Sequence, residues 1–308
     1  MENNIGDWLG KARQILLSRE IFDDDRDHQN LDYSPRLSSL PPCPPDSGLL
    51  SQALLSHVLG KPRPWIISHP EHQVTFNQAK EIEFELERLL NGEPLAYITG
   101  HQEFYGMDFL VSPDVLIPRP ETELMIDEAA QWISPVPITE KIKVADIGTG
   151  SGCIAISLAC ASRNLAVVGT DISRAALRIA NHNIHKHQVQ AQVTLVQCDL
   201  MAPLIHDYNL VCANLPYIPS QTLSNLRVSQ FEPELALDGG KDGLKFIREL
   251  FHHLDKKITP HSLMLFEIEA SQGFLAKNVA EKHFPKADIK ILPDLTGLDR
   301  LLRIEHRE

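Results

Sequence analysis

Along the chain, apolar positions recur first at helical spacing and later at strand spacing. Trp8, Leu9, Ala12, Ile15 and Leu16 trace one face of a helix. Residues 20–46 break the pattern: Glu20 to Tyr33 is acidic and polar, and Ser34 to Asp46 is rich in Pro and Ser. Such a stretch buries too little apolar surface to order itself and reads as a mobile insert. After Ser47, a helix carries Leu50, Leu54, Leu55 and Val58 and stops at Gly60. Another opens with the capping box Thr75-x-x-Gln78 and runs through Ile82, Leu86 and Leu89 to Gly92. Between Glu93 and Pro118, Tyr97, Ile98, Phe104, Phe109 and Val111 lie among glycines, which predicts a β-hairpin.

A helix is expected from Glu121 to Trp132, and after Pro137 strands and helices alternate. Strands are expected at 143–147, 166–169, 193–196, 209–213, 263–268, 289–292 and 300–304. The helices between them begin near Cys153, Ser173, Leu244 and Ser271. This alternation predicts an α/β fold, a parallel sheet covered on both faces, with ligands at the carboxyl ends of its strands. The organisation expected is a helical domain over 1–92, a hairpin linker over 93–118 and an α/β domain over 119–308.

Composition narrows the classes. The 308 residues carry a net charge of −12, with 43% hydrophobic residues. That hydrophobic share is globular, and the acidic balance opposes sequence-indifferent nucleic-acid binding, which draws on Lys and Arg. Five cysteines without a C-x-x-C pair indicate neither a disulfide framework nor a zinc site. Cys153 and Cys160 share a helix face and are expected in the core. The histidines His182, His185, His187, His252 and His253 read as solvated, with no metal expected. The start lacks a basic or Arg-rich leader, and no apolar run is long enough for a membrane helix, so a cytoplasmic protein is expected; separately, a monomer is expected.

Four features carry chemistry. Asp146-Ile147-Gly148-Thr149-Gly150-Ser151-Gly152 follows a strand and opens a helix, where backbone N–H groups meet a ligand closely. The spacing is neither G-x-G-x-x-G nor a P-loop. Asp171 ends the next strand, where a carboxylate accepts ribose hydroxyls or serves the following helix start. Asp199, with Leu200 beside it, suits an adenine amine and ring face, or a plain surface turn. Asn214-Leu215-Pro216-Tyr217 ends a further strand. An Asn carboxamide oxygen and the Leu215 carbonyl can accept both hydrogens of a planar NH2 group. Pro216 holds Leu215 extended, and Tyr217 offers a flat face. An ordinary Asn-x-Pro turn is the plainer reading of the tetrapeptide alone.

In this order, the motifs resemble those of class I S-adenosylmethionine-dependent methyltransferases that act on planar NH2 groups. Gly92 to Gly100, Ile117-Pro118-Arg119-Pro120-Glu121-Thr122-Glu123, Phe231-Glu232-Pro233 and Ala236 to Leu244 are similar to segments of the HemK/PrmC family, the N5-glutamine methyltransferases of peptide chain release factors. The resemblance runs from about Ser47 to Ile304. It implies a Rossmann-like sheet of seven strands, the last antiparallel, behind a small helical substrate-recognition domain. It also implies S-adenosylmethionine held by Gly148, Thr149, Gly150, Ser151, Gly152, Asp171, Asp199, Leu200 and Asn214. A Gly-Gly-Gln glutamine of a release factor would be seated by Asn214, Leu215, Pro216 and Tyr217, with Arg119 and Glu121 bordering the site. The family's usual tetrapeptide is Asn-Pro-Pro-Tyr. Asn-Leu-Pro-Tyr is typical of rRNA adenine dimethyltransferases, which keeps adenine in nucleic acid as the rival substrate; glutamine of a ribosomal protein is a closer variant.

Overall fold

The computed structural model describes residues 4–18, 47–205, 207–254 and 257–306, so the expected insert over 20–46 lies outside the described residues. By its internal contacts the chain divides between Thr99 and Gly100 into two units.

The first unit contains α1 (Ile5–Ser18), α2 (Ser47–Leu59), α3 (Arg63–Ser68), α4 (Phe76–Leu90) and α5 (Leu95–Thr99). Ile5, Trp8, Ala12 and Leu16 line one side of α1 and pack with Leu54, Leu55, Ile66, Ile82, Leu86 and Ile98. The capping box at the start of α4 forms on both sides, as Thr75-x-x-Gln78 predicts. Two elements depart from expectation. α3 starts behind Pro62, with Pro64 in its first turn, where prolines cost no intrahelical bond. α5 puts Tyr97 and Ile98 in a helical turn rather than a hairpin strand, with both side chains buried. The hairpin itself is shorter than 93–118: β1 (His101–Phe104) and β2 (Met107–Leu110) pair antiparallel.

The second unit is built on a seven-stranded sheet. Its strands are β3 (Ile142–Ile147), β4 (Leu165–Asp171), β5 (Val193–Gln197), β6 (Tyr208–Ala213), β7 (Ile258–Glu267), β8 (Asp288–Pro293) and β9 (Asp299–His306). The spatial order is β5-β4-β3-β6-β7-β9-β8, with β9 antiparallel to both its neighbours and the first five strands parallel. This is the Rossmann-like α/β arrangement expected. Val144, Ala145, Asp146 and Ile147 are all fully buried, because both faces are covered. α6 (Glu123–Ile133), α7 (Cys153–Ala161) and the aromatic pair Phe104 and Phe109 pack on one face. α10 (Lys245–Leu254) and α11 (Gly273–His283) pack on the other. Helix α8 (Arg174–Lys186) has the Ser173 cap expected of it. α11 is entered differently: Glu269, not Ser271, closes a capping box with Gln272 just before it. Cys153 is buried, but Cys160 is exposed, because it lies in the last turn of α7.

The chain order reverses direction at β3, with β4 on one side and β6 on the other. The carboxyl ends of β3, β4, β5, β6 and β7 therefore open onto a shared crevice. Among the described residues, no helix is long and apolar enough to cross a membrane.

Candidate active site

The glycine turn leaves β3 and enters α7. Gly148, Gly150 and Gly152 all have positive φ, at 72°, 55° and 83°. A Cβ on Gly148 would stand 3.0 Å from Leu215 Cδ2, so the turn lies directly against the Asn-Leu-Pro-Tyr loop. The turn is held from beneath by Asp146: its Oδ2 accepts from the Thr149 hydroxyl at 2.6 Å and from the Ala155 N–H at 3.1 Å. The Thr149 N–H donates to the Thr170 carbonyl at 2.8 Å. Thr149 thus spends its side chain on the protein, and what it offers the cleft is backbone.

Asp146 is wholly enclosed, and its Oδ1 has no partner among the described residues. Burial pushes this carboxyl up to about 7, against the pull of its hydrogen bonds. A carboxyl raised on folding contributes stability that is complete below its unfolded value near 3.8. That contribution is lost as pH rises through about 7. Wild type should therefore lose on the order of 3 kcal/mol relative to Asp146→Asn between about pH 5 and about pH 8. Denaturant titration of both proteins at the two pH values checks this; a gap that does not move with pH would refute it.

Asp171 ends β4. Its Oδ2 accepts the Gly150 N–H at 2.9 Å and its Oδ1 the Ser173 N–H at 2.8 Å. The helix-start role considered for this residue is filled by Oδ1, the bond to the glycine turn is a further one, and each oxygen keeps a lone pair for a ligand hydroxyl. Burial raises its pKa from the ordinary value. Asp199 is exposed at the cleft rim. Leu200 is buried beside it with φ at 47°, held by the Thr170 hydroxyl, which donates to its carbonyl at 2.7 Å. A non-glycine residue in the left-handed region is uncommon and marks a constrained site.

Asn214 follows β6. The cleft bounded by the glycine turn, Asp171, Asp199 and Leu200 is also walled by Asn214, Leu215 and Pro216. Tyr217 is not part of that wall. It is half-buried, and its hydroxyl donates to Glu267 Oε1 at 3.2 Å. Glu267, the last residue of β7, also accepts from the Thr122 hydroxyl through Oε2 at 2.6 Å. Thr122 in turn receives the Asn214 Nδ2 at 3.1 Å. Burial raises the pKa of both Glu267 and Tyr217. Gln272 Nε2 donates to the Tyr217 carbonyl at 2.8 Å and to the Asp242 carbonyl at 3.2 Å. The segment Ala236 to Leu244 is folded beneath Tyr217: the Gly239 N–H donates to the Ile218 carbonyl at 2.8 Å. Buried Glu232 accepts the Ile117 N–H at 3.1 Å and pairs with Arg119, joining the Ile117–Glu123 segment to Phe231-Glu232-Pro233.

The structure therefore gathers the glycine turn, Asp171, Asp199, Leu200, Asn214, Leu215 and Pro216 around one crevice. Arg119 is engaged by Glu232, and Glu121 is exposed; the neighbours that line the cleft are Pro118 and Thr122. Thr122, Glu267 and Gln272 escaped the sequence reading, and so did Asn183. Asn183 sits on α8 and exchanges two hydrogen bonds with Leu110 of β2, accepting its N–H at 2.8 Å and donating to its carbonyl at 3.0 Å. It also donates to the Ser151 carbonyl at 2.9 Å. The signal available in the sequence was its spacing: Asn183 falls in the stripe of Ala176, Ala180 and Ile184 on an amphipathic helix.

Chemically, the crevice offers a glycine-rich turn at a helix start, a carboxylate at the end of β4, and the Asn214 carboxamide beside Leu215 and Pro216. Residues 44–100 match the family described as PrmC N-terminal domain, and residues 123–231 match the methyltransferase small domain. A release factor glutamine methyltransferase of Moorella thermoacetica is 38% identical over 262 residues, covering 84% of this chain and 92% of the other. The enzyme of the same name from Bacillus anthracis is 35% identical over 259 residues, covering 82% and 91%. A solved methyltransferase structure from Pyrococcus furiosus shares the fold, with a TM-score of 0.50 at 14% identity over 73% of this chain and 100% of that one. With a third or more of its positions identical along nearly the whole length of such relatives, the chain belongs to the release factor glutamine methyltransferase family.

Proposed function

We propose that this enzyme transfers a methyl group from S-adenosylmethionine to the side-chain amide nitrogen of the Gly-Gly-Gln glutamine in peptide chain release factors. The observation that carries the reading is the orientation of Asn214. Its Nδ2 is committed to Thr122, and no donor among the described residues meets its Oδ1. An acceptor beside the Leu215 carbonyl suits the two N–H bonds of a planar amide.

The crevice fits the cofactor. Gly148, Gly150 and Gly152 leave backbone room for its methionine end, with Thr149 and Ser151 contributing main chain. Asp171 has lone pairs for the ribose hydroxyls, and Asp199 with Leu200 suits the adenine amine and ring. When bound, the cofactor supplies an electrophilic methyl on a positively charged sulfur. The chain supplies orientation. An amide nitrogen is a poor nucleophile because its lone pair is delocalised into the carbonyl. Holding both N–H bonds with Asn214 Oδ1 and the Leu215 carbonyl fixes the plane of the group and favours the nitrogen as it pyramidalises. Pro216 keeps Leu215 extended, and Tyr217, held by Glu267 outside the cleft wall, anchors the end of the loop.

Adenine in RNA is the second reading, favoured by the Asn-Leu-Pro-Tyr sequence. The cleft wall opposes it: among the described residues lining it are Asp114, Asp171 and Asp199, and no Lys or Arg. The test is incubation with methyl-labelled cofactor and either purified release factor or rRNA, with the label located by mass spectrometry. Label on the Gly-Gly-Gln glutamine is expected. Label on adenine, or on a ribosomal protein alone, would overturn the proposal.

A further inference from the structure

We infer that Thr122 and Glu267 are positioning residues that set which end of the Asn214 carboxamide faces the substrate. The inference rests on the reading of Asn214 as the acceptor for the substrate amide. An Asn side chain has two nearly isosteric ends of opposite hydrogen-bonding sense, and only one of them is useful here. Flipped, it would present N–H donors to the N–H donors of the substrate.

The polarity follows from one proton. Thr122 has a single hydroxyl hydrogen, and its Oγ1 lies 2.6 Å from Glu267 Oε2 and 3.1 Å from Asn214 Nδ2. Glu267 also receives the Tyr217 hydroxyl on its other oxygen, so the carboxylate acts as an acceptor on both sides. The Thr122 proton is thereby spent on Glu267, and only its lone pairs remain for Asn214. The group of Asn214 turned toward Thr122 must then be the NH2, which leaves Oδ1 for the cleft. Thr122 and Glu267 are each 2% exposed, so water does not compete for these bonds. The same carboxylate tethers Tyr217, so one buried group on β7 orders both ends of the tetrapeptide.

This gives Thr122, within the segment Ile117 to Glu123, a task that its neighbours Arg119 and Glu121 do not share. Thr122→Val keeps the shape and deletes the lone pairs. It should lower kcat about 10- to 100-fold, with KM for the release factor and the Kd of S-adenosylmethionine nearly unchanged. Thr122→Ser should restore the rate. If the Val variant does not fold, Thr122→Cys, of similar volume and a poor acceptor, is expected to show the same loss.

The decisive measurement is a double-mutant cycle in single-turnover conditions. In an Asn214→Ala background, Thr122→Val should have no further effect, because its target is gone. Additive losses, or a Thr122→Val enzyme with wild-type kcat while Asn214→Ala is crippled, would overturn the inference. A wild-type rate for Asn214→Ala would instead overturn the underlying reading of Asn214.

Discussion

Asn214→Ala is expected to slow methyl transfer by about three orders of magnitude while leaving cofactor affinity within about threefold of wild type. The two effects separate because the two ligands rest on different parts of the crevice. In the proposed function the cofactor rests mainly on the glycine turn, Asp171 and Leu200, and none of these hydrogen-bonds Asn214 among the described residues. The substrate amide, by contrast, loses a preorganised acceptor whose bond strengthens as the nitrogen changes shape. Removing one such group from a water-poor site costs about 100- to 1,000-fold in turnover. Loss of in-plane alignment with the Leu215 carbonyl adds to it. Single-turnover rates at saturating release factor, with calorimetry for S-adenosylmethionine, measure both quantities. A variant that loses cofactor affinity yet turns over normally at saturation would show that Asn214 serves the cofactor instead.

Gly243→Ala is expected to cost about 3–5 kcal/mol and to disable whatever enzyme still folds. A Cβ at this position would fall 2.0 Å from both Gln272 Nε2 and the Tyr217 carbonyl oxygen. Those two atoms form the hydrogen bond that clamps the end of the Asn-Leu-Pro-Tyr loop. The new methyl would therefore sit inside the bond rather than beside it, and neither partner can retreat without leaving a buried polar atom unpaired. The positive φ of 74° adds about 1 kcal/mol for any L side chain. Gly106→Ala is the control, since Gly106 has a φ of 68° and an added Cβ there meets nothing within 4 Å. Thermal unfolding should show a Tm drop for Gly243→Ala several times that of Gly106→Ala. Equal drops would mean that the clamp yields at little cost.

The sheet was legible because its central strands carry short apolar runs, such as Leu210 to Ala213 and Leu263 to Phe266, each followed by glycine or a polar residue. Asp171, Asn214 and the glycine turn sit where those runs stop, so the order of motifs also located the crevice. What tightened the site was not legible. Thr122 and Glu267 are 145 positions apart, and Thr122 and Asn214 are 92 apart. A hydrogen bond over such a distance leaves no periodicity in the sequence. Glu267 in particular read as the end of a buried strand, with nothing local to say that two hydroxyls converge on it. α5 was missed for a different reason: Tyr97 and Ile98 just before Gly100 look like a strand entering a turn. Pro94 instead starts a single helical turn, since the Tyr97 and Ile98 N–H groups both donate to its carbonyl. The exposure of Cys160 shows the limit of face arithmetic, which assigns a side of the helix but not how far the neighbouring layer extends.

A two-stranded ribbon is marginal in water on its own. The β1–β2 ribbon is secured at Leu110 by the Asn183 side chain, whose remaining hydrogen bond goes to the Ser151 carbonyl in the glycine turn. One carboxamide is thus shared between the ribbon and the glycine turn that lines the crevice. Neither can shift without the other surrendering a buried bond. The hairpin therefore works as a strut: the stiffness of the glycine turn is borrowed in part from a pair of strands that do not line the crevice.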